Sequence, residues 1–476
     1  MVFLCLTSVD IWMVKMGLIK LVQLPIVISV VFLAVNILTA SRSPTIWQDE
    51  VMFLDPAANL ASGKGFRTTF WSFQDPQKTF TANVPLYPLI LAGWIKLGVM
   101  EPGWVRSLNF FLMLGIVWML GEILRPFVAQ NKKTGSGLGL FYFLALGWGS
   151  IAFSYRSGRY DILCGLLLTT IIYGVLRKSR AGTWAASVAA FLCLWAGLQN
   201  GIVLAVEILA ALVVWRREAV KPILLVGVSA GIGSICLLFW MWSVEGLENF
   251  LKSVRLLGGA KPASLMEFIR GTVRWDLAVL LMICGGFWTA QKHHWKAGQK
   301  WALLMGIAVP ITFGLLGKYP VYYSLFSILP LLFFFCSLEK RGWHGVIAWV
   351  LLVLVIGTGL PARAGLALFE WKERSPENLH DGLAELIKPG ANVLADYPFY
   401  YVLRKAGASI YGPSFLESEI PQNLQTLVTY PGNPIDQWAQ VNSWSLVAEK
   451  LPDANKPRIL GTARLYAWKV YQRPKN

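Results

Sequence analysis

Two adjacent carboxylates, Asp49 and Glu50, stand in the stretch SPTIWQDEVMFLDPAANLASGKGF, which runs from Ser43 to Phe66 behind the first long apolar run. Carboxylates can take a proton from a reacting hydroxyl, orient it, or hold a cation. Two further clusters carry the opposite charge. SYRSGRYDILCGLLL (154–168) places Arg156, Arg159 and Asp161 at the opening of a later apolar run. GLLGKYPVYYSLFSILP (314–330) places Lys318 in a very short turn, with Tyr319, Tyr322 and Tyr323 around it. Guanidinium forks and ammonium groups suit phosphate oxygens, and tyrosine hydroxyls add donors. Each cluster also has a plain reading. Asp49 and Glu50 fit a solvated first helical turn, and Lys318 fits a snorkelling anchor. Arg159 and Asp161 fit a surface pair worth under about 1 kcal/mol.

The elements that must position these groups are membrane helices. Of 476 residues, 55% are hydrophobic and 14% charged, well below the charge of a soluble domain. Apolar runs of spanning length recur near 20–40, 104–124, 137–154, 161–176, 184–198, 201–215, 222–242, 276–290, 301–316, 321–338 and 343–361. They predict about eleven membrane helices. The net charge of +17 does not point to nucleic acid, because many basic residues fall in short loops such as RKSR (177–180), WRREAVK (215–221) and EKR (339–341). These clusters fall on alternate crossings, so the positive-inside rule puts them in the cytoplasm with the N-terminus. The loop 41–103, the turn at Arg156–Tyr160, the turn at Gly317–Pro320 and the tail then lie outside. All three charged clusters meet on that outer side. Twenty-two Trp are consistent with interfacial belts.

Thr45 is a plausible cap for a helix carrying Asp49 and Glu50 and ending near ASGKGF. NVPLYPLILAGWIKLGV (83–99) reads as a helix at the outer interface. The expected division is a membrane domain over 1–361 and an extracytoplasmic α/β domain over 362–476. In the latter, ANVLADY, ASIYGP and PRILGTARLYAWKVYQ read as strands and PENLHDGLAELIKPG as a helix. The six cysteines lack metal-like spacing and read as small apolar residues. Glu207 lies inside a span, where a carboxylate invites a functional reading. Gln199 and Asn200 form the tip of an outer hairpin; they could bond a polar ligand or simply turn the chain. His293 and His294 read as solvated.

The stretches DEVMFLDPAANLASGKGF and VPLYPLILAGWIKLGVMEPGWVRSLNFFLMLGIV resemble the opening of GT-C glycosyltransferases. The group they resemble is the protein O-mannosyltransferase and aminoarabinose-transferase-like enzymes, glycosyltransferase family 39 and its relatives. GRYDILCGLLLTTIIYGVLRK resembles their Arg-x-Asp segment, and GKYPVYYSLFSILPLLFF their Lys-plus-Tyr segment. The resemblance covers most of the membrane part, and the tail in outline. It implies a helical polytopic membrane protein of GT-C type that takes a sugar from a polyprenyl-phosphate carrier to an extracytoplasmic acceptor. It implies Asp49 as catalytic base with Glu50 beside it, and Arg159, Lys318, Tyr322 and Arg156 at the donor phosphate. Asp161, Asn200 and Tyr87 are the matching candidates for substrate contact. One departure stands out: many relatives carry a lysine near the hairpin tip, where this chain has Gln199 and Asn200. Some relatives bind a divalent metal near the acidic loop; here Asp49, Glu50 and Asp55 have no histidine beside them, so no cofactor is predicted, and a divalent metal is the one that the resemblance leaves open. Membrane lipids are implied partners, and nucleic acid is not. The rival class is a transporter or flippase that binds the same anions without chemistry. Against it, no inverted pair of broken spans is legible.

Overall fold

The structure, a computed structural model, describes residues 23–129, 136–258, 285, 295–317, 320–338, 344–372, 374–376, 380–417, 420–451 and 467–473. Lys318 and the expected span 276–290, Gly285 apart, fall outside these residues.

The apolar runs form helices close to where periodicity and length put them. In chain order they are α1 (Gln23–Thr39), α2 (Gln48–Ala61), α3 (Leu86–Lys96), α4 (Pro102–Ala129), α5 (Ser136–Gly147) and α6 (Gly149–Arg156). Then come α7 (Asp161–Arg177), α8 (Arg180–Ala196), α9 (Gln199–Trp215), α10 (Arg217–Ser243) and α11 (Leu247–Gly258). After these follow α12 (Ala297–Leu315), a 3₁₀ turn Val321–Ser324, α13 (Leu325–Ser337), α14 (His344–Thr358) and α15 (Leu360–Phe369). Among the described residues three helical stretches are long and apolar enough to cross a bilayer by themselves: 102–128, 220–243 and 344–369. α5 and α6 pass that test only together, as one span bent by 56°.

That bend corrects the expectation of a single helix over 137–154. The chain breaks at Trp148, where the α5–α6 junction crosses the α14–α15 junction. A Cβ on Gly359 would lie 1.9 Å from the Gly147 carbonyl oxygen, so the two breaks meet backbone to backbone. α2 also starts later than expected: its N-cap is Trp47, not Thr45, with no side-chain cap bond. Pro56 sits inside α2 and has no N–H to return to the Met52 carbonyl; the Trp71 indole donates to that oxygen instead, at 3.2 Å. α3 and α4 are pinned by stacked Trp94 and Trp104, 5.0 Å apart, each indole donating to the other residue's carbonyl at 3.0 Å.

The tail carries a five-stranded mixed sheet in the order β2-β1-β3-β5-β4. β1 (Asn392–Ala395) pairs in parallel with β2 (Ser409–Tyr411) and β3 (Thr426–Thr429). β5 (Trp468–Gln472) runs antiparallel to β3 and to β4 (Ser445–Lys450). β3 and β4 were not foreseen. Of the expected helix over PENLHDGLAELIKPG, residues 377–379 lie outside the described residues, and the described part holds one helical turn, Leu383–Leu386. Helices α16 (Tyr400–Lys405) and α17 (Pro434–Val441) flank the sheet. One apolar core runs from Phe32 in α1 through the bundle to Tyr400, Tyr401 and Val470 in the tail. The tail therefore packs on the bundle and does not hang from it.

Candidate active site

Arg159 is the centre of the site. Its Nη1 donates to Asp49 and its Nε to Asp161, the latter at 2.5 Å. The guanidinium lies 3.4 Å from the centroid of the Tyr322 ring and 5.3 Å from that of Trp47. Gln199 joins the cluster from the tip of α9, donating to Asp161 at 3.2 Å. Its own oxygen accepts from the Tyr160 hydroxyl at 3.4 Å. So α2, α7, α9 and the 3₁₀ turn before α13 all bring a polar group to one point, as the sequence leads one to expect of Asp49, Arg159, Asp161 and Tyr322. The Asp49 side chain is 28% exposed, whereas those of Arg159 and Asp161 are buried.

The turn carrying Arg159 is fixed by three donors from three elements. Trp47 donates to the Ser157 carbonyl at 3.2 Å, Tyr87 to that of Gly158 at 3.0 Å, and Asn109 to that of Arg159 at 2.8 Å. Gly158 has φ +64°, and a Cβ there would lie 2.8 Å from Cγ of Glu50. Only glycine meets both demands. Tyr87, expected at the substrate, is thus buried and holds the turn.

Glu50 points the other way from Asp49. It is buried and accepts a two-pronged contact from Arg106, Nε to Oε1 at 2.9 Å and Nη2 to Oε2 at 2.6 Å. Tyr401 of the tail donates to the same Oε1 at 3.3 Å. Arg106 also donates to the carbonyls of Ala40 and Pro44, at 2.6 and 2.9 Å. Five residues on, Asp55 accepts from the Thr69 amide, the Thr68 hydroxyl and the Tyr400 hydroxyl at 2.9, 3.0 and 2.9 Å. Burial pushes the Asp55 carboxyl above its ordinary value, against the pull of Arg404 and these donors. Burial, reinforced by the neighbouring carboxylates, also raises the phenols of Tyr400 and Tyr401 well above theirs, so both remain donors. Because Glu50 and Asp55 turn their oxygens to protein donors, the three carboxylates considered for a divalent metal do not converge. Among the described residues no group of three potential ligands does.

Arg156 needs a correction. Its three nitrogens donate to Asn36 Oδ1 at 2.7 Å, the Thr39 carbonyl at 3.1 Å and the Ser43 carbonyl at 2.6 Å. It closes the C-terminal end of α1, and its buried fork is engaged by these protein acceptors. Asn200 donates to the Cys193 carbonyl at the end of α8 at 2.9 Å, and its Oδ1 is buried without a partner among the described residues. Glu207 lies deeper in the bundle. Among the described residues its Oε2 and the Trp301 Nε1 are both buried without partners, and both residues border one cavity of about 40 Å³. Arg106, Asn109 and Tyr401 were not singled out from the sequence. Arg106 did carry a signal, a lone guanidinium in the opening turn of an apolar run, which demands a buried partner.

No protein-family model matches the sequence, and no curated protein matches it. Solved structures do. ArnT from Cupriavidus metallidurans, in a crystal structure bound to undecaprenyl phosphate, superposes with a TM-score of 0.64 at 12% identity, over 94% of this chain and 97% of that one. Its apo structure gives 0.61 over the same shares. The apo oligosaccharyltransferase of Archaeoglobus fulgidus gives 0.51 at 11% identity, over 86% of this chain and 69% of that one. The chain is mostly helical, with apolar spans and a small mixed sheet at its C-terminal end, and it shares the fold of ArnT over most of its length.

Proposed function

We propose that this GT-C chain is an inverting glycosyltransferase that moves a sugar from a polyprenyl-phosphate donor to an acceptor outside the cytoplasm, whether lipid, glycan or protein. It would lie in the inner or plasma membrane, with the N-terminus cytoplasmic and the tail outside. The reaction is a single in-line displacement. The acceptor oxygen bonds to the anomeric carbon, its proton passes to Asp49, and the bond to phosphate breaks on the opposite face with its electron pair leaving on the phosphate. Ion-paired Asp49 is a weak base, which suffices because the proton becomes acidic only as the new bond forms. Arg159, stacked on Tyr322, is the described cation nearest the developing phosphate charge; Lys318, four residues before Tyr322 in the sequence, is proposed as the second cation. Glu50 acts through Arg106 and Tyr401 by holding α2, not by touching substrate.

The observation that carries this reading is the asymmetry of the carboxylates. Of Asp49, Glu50 and Asp161, Asp49 alone keeps an open face, and it does so beside a guanidinium fixed by a rigid turn. Support for the donor class comes from the undecaprenyl phosphate held by ArnT in the same fold. Incubation with a polyprenyl-phosphate sugar and envelope acceptors should release lipid phosphate, and Asp49→Asn should abolish the release while inserting and folding normally. Near-normal release by Asp49→Asn would refute the assignment, and translocation of intact donor without release would favour a flippase.

A further inference from the structure

Arg363 lies in the first turn of α15, just past the Gly359 break. Among the described residues its guanidinium makes no hydrogen bond and no ion pair, and its Nε is buried without a partner. The other interior arginines at this end of the bundle are accounted for. Arg106 has Glu50, Arg159 has Asp49 and Asp161, Arg374 has Glu370 at 2.7 Å, and Arg156 has the end of α1. An unpaired, largely buried guanidinium is costly unless an anion joins it.

The surroundings narrow the anion. Arg363 stacks 5.6 Å from the centroid of Phe153, and Phe153 packs 5.3 Å from Trp47, which separates it from the Arg159 cluster. Arg156 lies close enough to add positive charge, while among the described residues no carboxylate pairs with Arg363. Arg363 lies within the apolar helical stretch 344–369, in which Val353, Ile356, Leu368 and Phe369 are exposed. An anion arriving across such a surface must be carried on a lipid, and a guanidinium fork matches phosphate oxygens.

We propose that Arg363, backed by Phe153, forms a second phosphate site facing the bilayer, separate from Arg159, that takes the phosphate of a lipid. Either the polyprenyl-phosphate carrier or a phospholipid headgroup supplies that chemistry. The site does not depend on the transferase reading, because binding is measured without turnover.

The test uses the full chain in detergent and native mass spectrometry to count bound copies of three probes: undecaprenyl phosphate, phosphatidylglycerol and uncharged undecaprenol. Arg363→Ala should reduce the population carrying one copy of a phosphate lipid by about tenfold or more, with Arg363→Lys intermediate and undecaprenol unaffected. Loss confined to undecaprenyl phosphate identifies the carrier; loss that includes phosphatidylglycerol identifies a bilayer phospholipid. Arg159→Met should leave the Arg363-dependent copy in place. Should Arg363→Ala fail to fold, Arg363→Gln removes the charge at closer shape and carries the same comparison. Unchanged binding of both phosphate lipids, no binding of either by the native chain, or an equal loss of undecaprenol would overturn the site.

Discussion

A lysine at position 159 would keep the charge and lose the geometry. Arg159 reaches Asp49 and Asp161 from separate nitrogens while its plane stacks on Tyr322, and an ammonium point charge cannot do all three. Arg159→Lys is expected to lower kcat/KM about a hundredfold or more, with a melting temperature close to the native one. Steady-state kinetics beside a thermal melt in detergent would separate the two effects. Arg106 gives a different result. Removing one partner of a buried pair leaves an uncompensated charge, so Arg106→Met should cost about 3–5 kcal/mol of stability. Adding Glu50→Leu should restore most of that, and denaturation midpoints of the single and double variants test it. The sequence distinguished these residues unequally. Asp49 and Arg159 were legible because charged side chains at the mouth of an apolar run have few structural excuses. Arg156, three residues from Arg159, looked the same in type and setting; only the end of α1 packed against it reveals its different task. Arg106 stayed hidden because its partner lies 56 residues away.

At the scale of elements, α16 grips α2. Tyr401 holds Glu50, Tyr400 holds Asp55, and Arg404 donates to Asn59 at 2.6 Å, so one short tail helix contacts about two and a half turns of the helix bearing Asp49. Tyr401→Phe removes one such bond, a stability loss of about 1 kcal/mol. Because the loss loosens a base, not a binding surface, kcat should fall while KM for the donor stays put; the opposite split would assign Tyr401 to substrate. The sheet carries a titration of its own. Burial pushes the Asp396 carboxyl up to about 6 from 3.8, despite the Thr429 hydroxyl donating to it at 2.7 Å. The folded state therefore holds this proton at pH values where the unfolded chain has lost it. Its stabilising contribution is complete below 3.8 and is lost as the pH rises through about 6. Buried His380, lowered to about 4, works in the reverse sense, its contribution being lost as the pH falls from 6.5 towards 4. Asp396→Asn should remove the first slope and leave the second, as melting curves between pH 4 and 7 would show. Of these elements, the helices were readable because apolar runs are long. β3 and β4 were not, because a four-residue strand buried on both faces and an edge strand exposed on both lack the alternation that marks a half-buried strand. The α5–α6 bend was not legible either, since its cause is a contact with Gly359 more than two hundred residues away in sequence.

Over the whole molecule, the membrane bundle and the tail share one core, so stability in detergent should reflect both at once. Glu207 is the carboxylate among the buried bundle groups that lack a partner within the described residues. If it serves no ligand, Glu207→Leu should leave lipid-phosphate release intact and raise stability by about 1–3 kcal/mol, since an unsatisfied buried carboxyl is removed. A loss of release with preserved folding would give its cavity a role in the reaction. The grip of α16 on α2 also sets an order in biosynthesis. Glu50 and Asp55 leave the ribosome 351 and 345 residues ahead of the tyrosines that hold them. Until those tyrosines are made, the acidic helix has only the earlier donors, such as Arg106 on Glu50 and Thr68 on Asp55. On the proposed reading, a nascent chain halted before residue 400 would thus be inserted yet idle, because the helix bearing Asp49 would lack the clasp that the tail supplies.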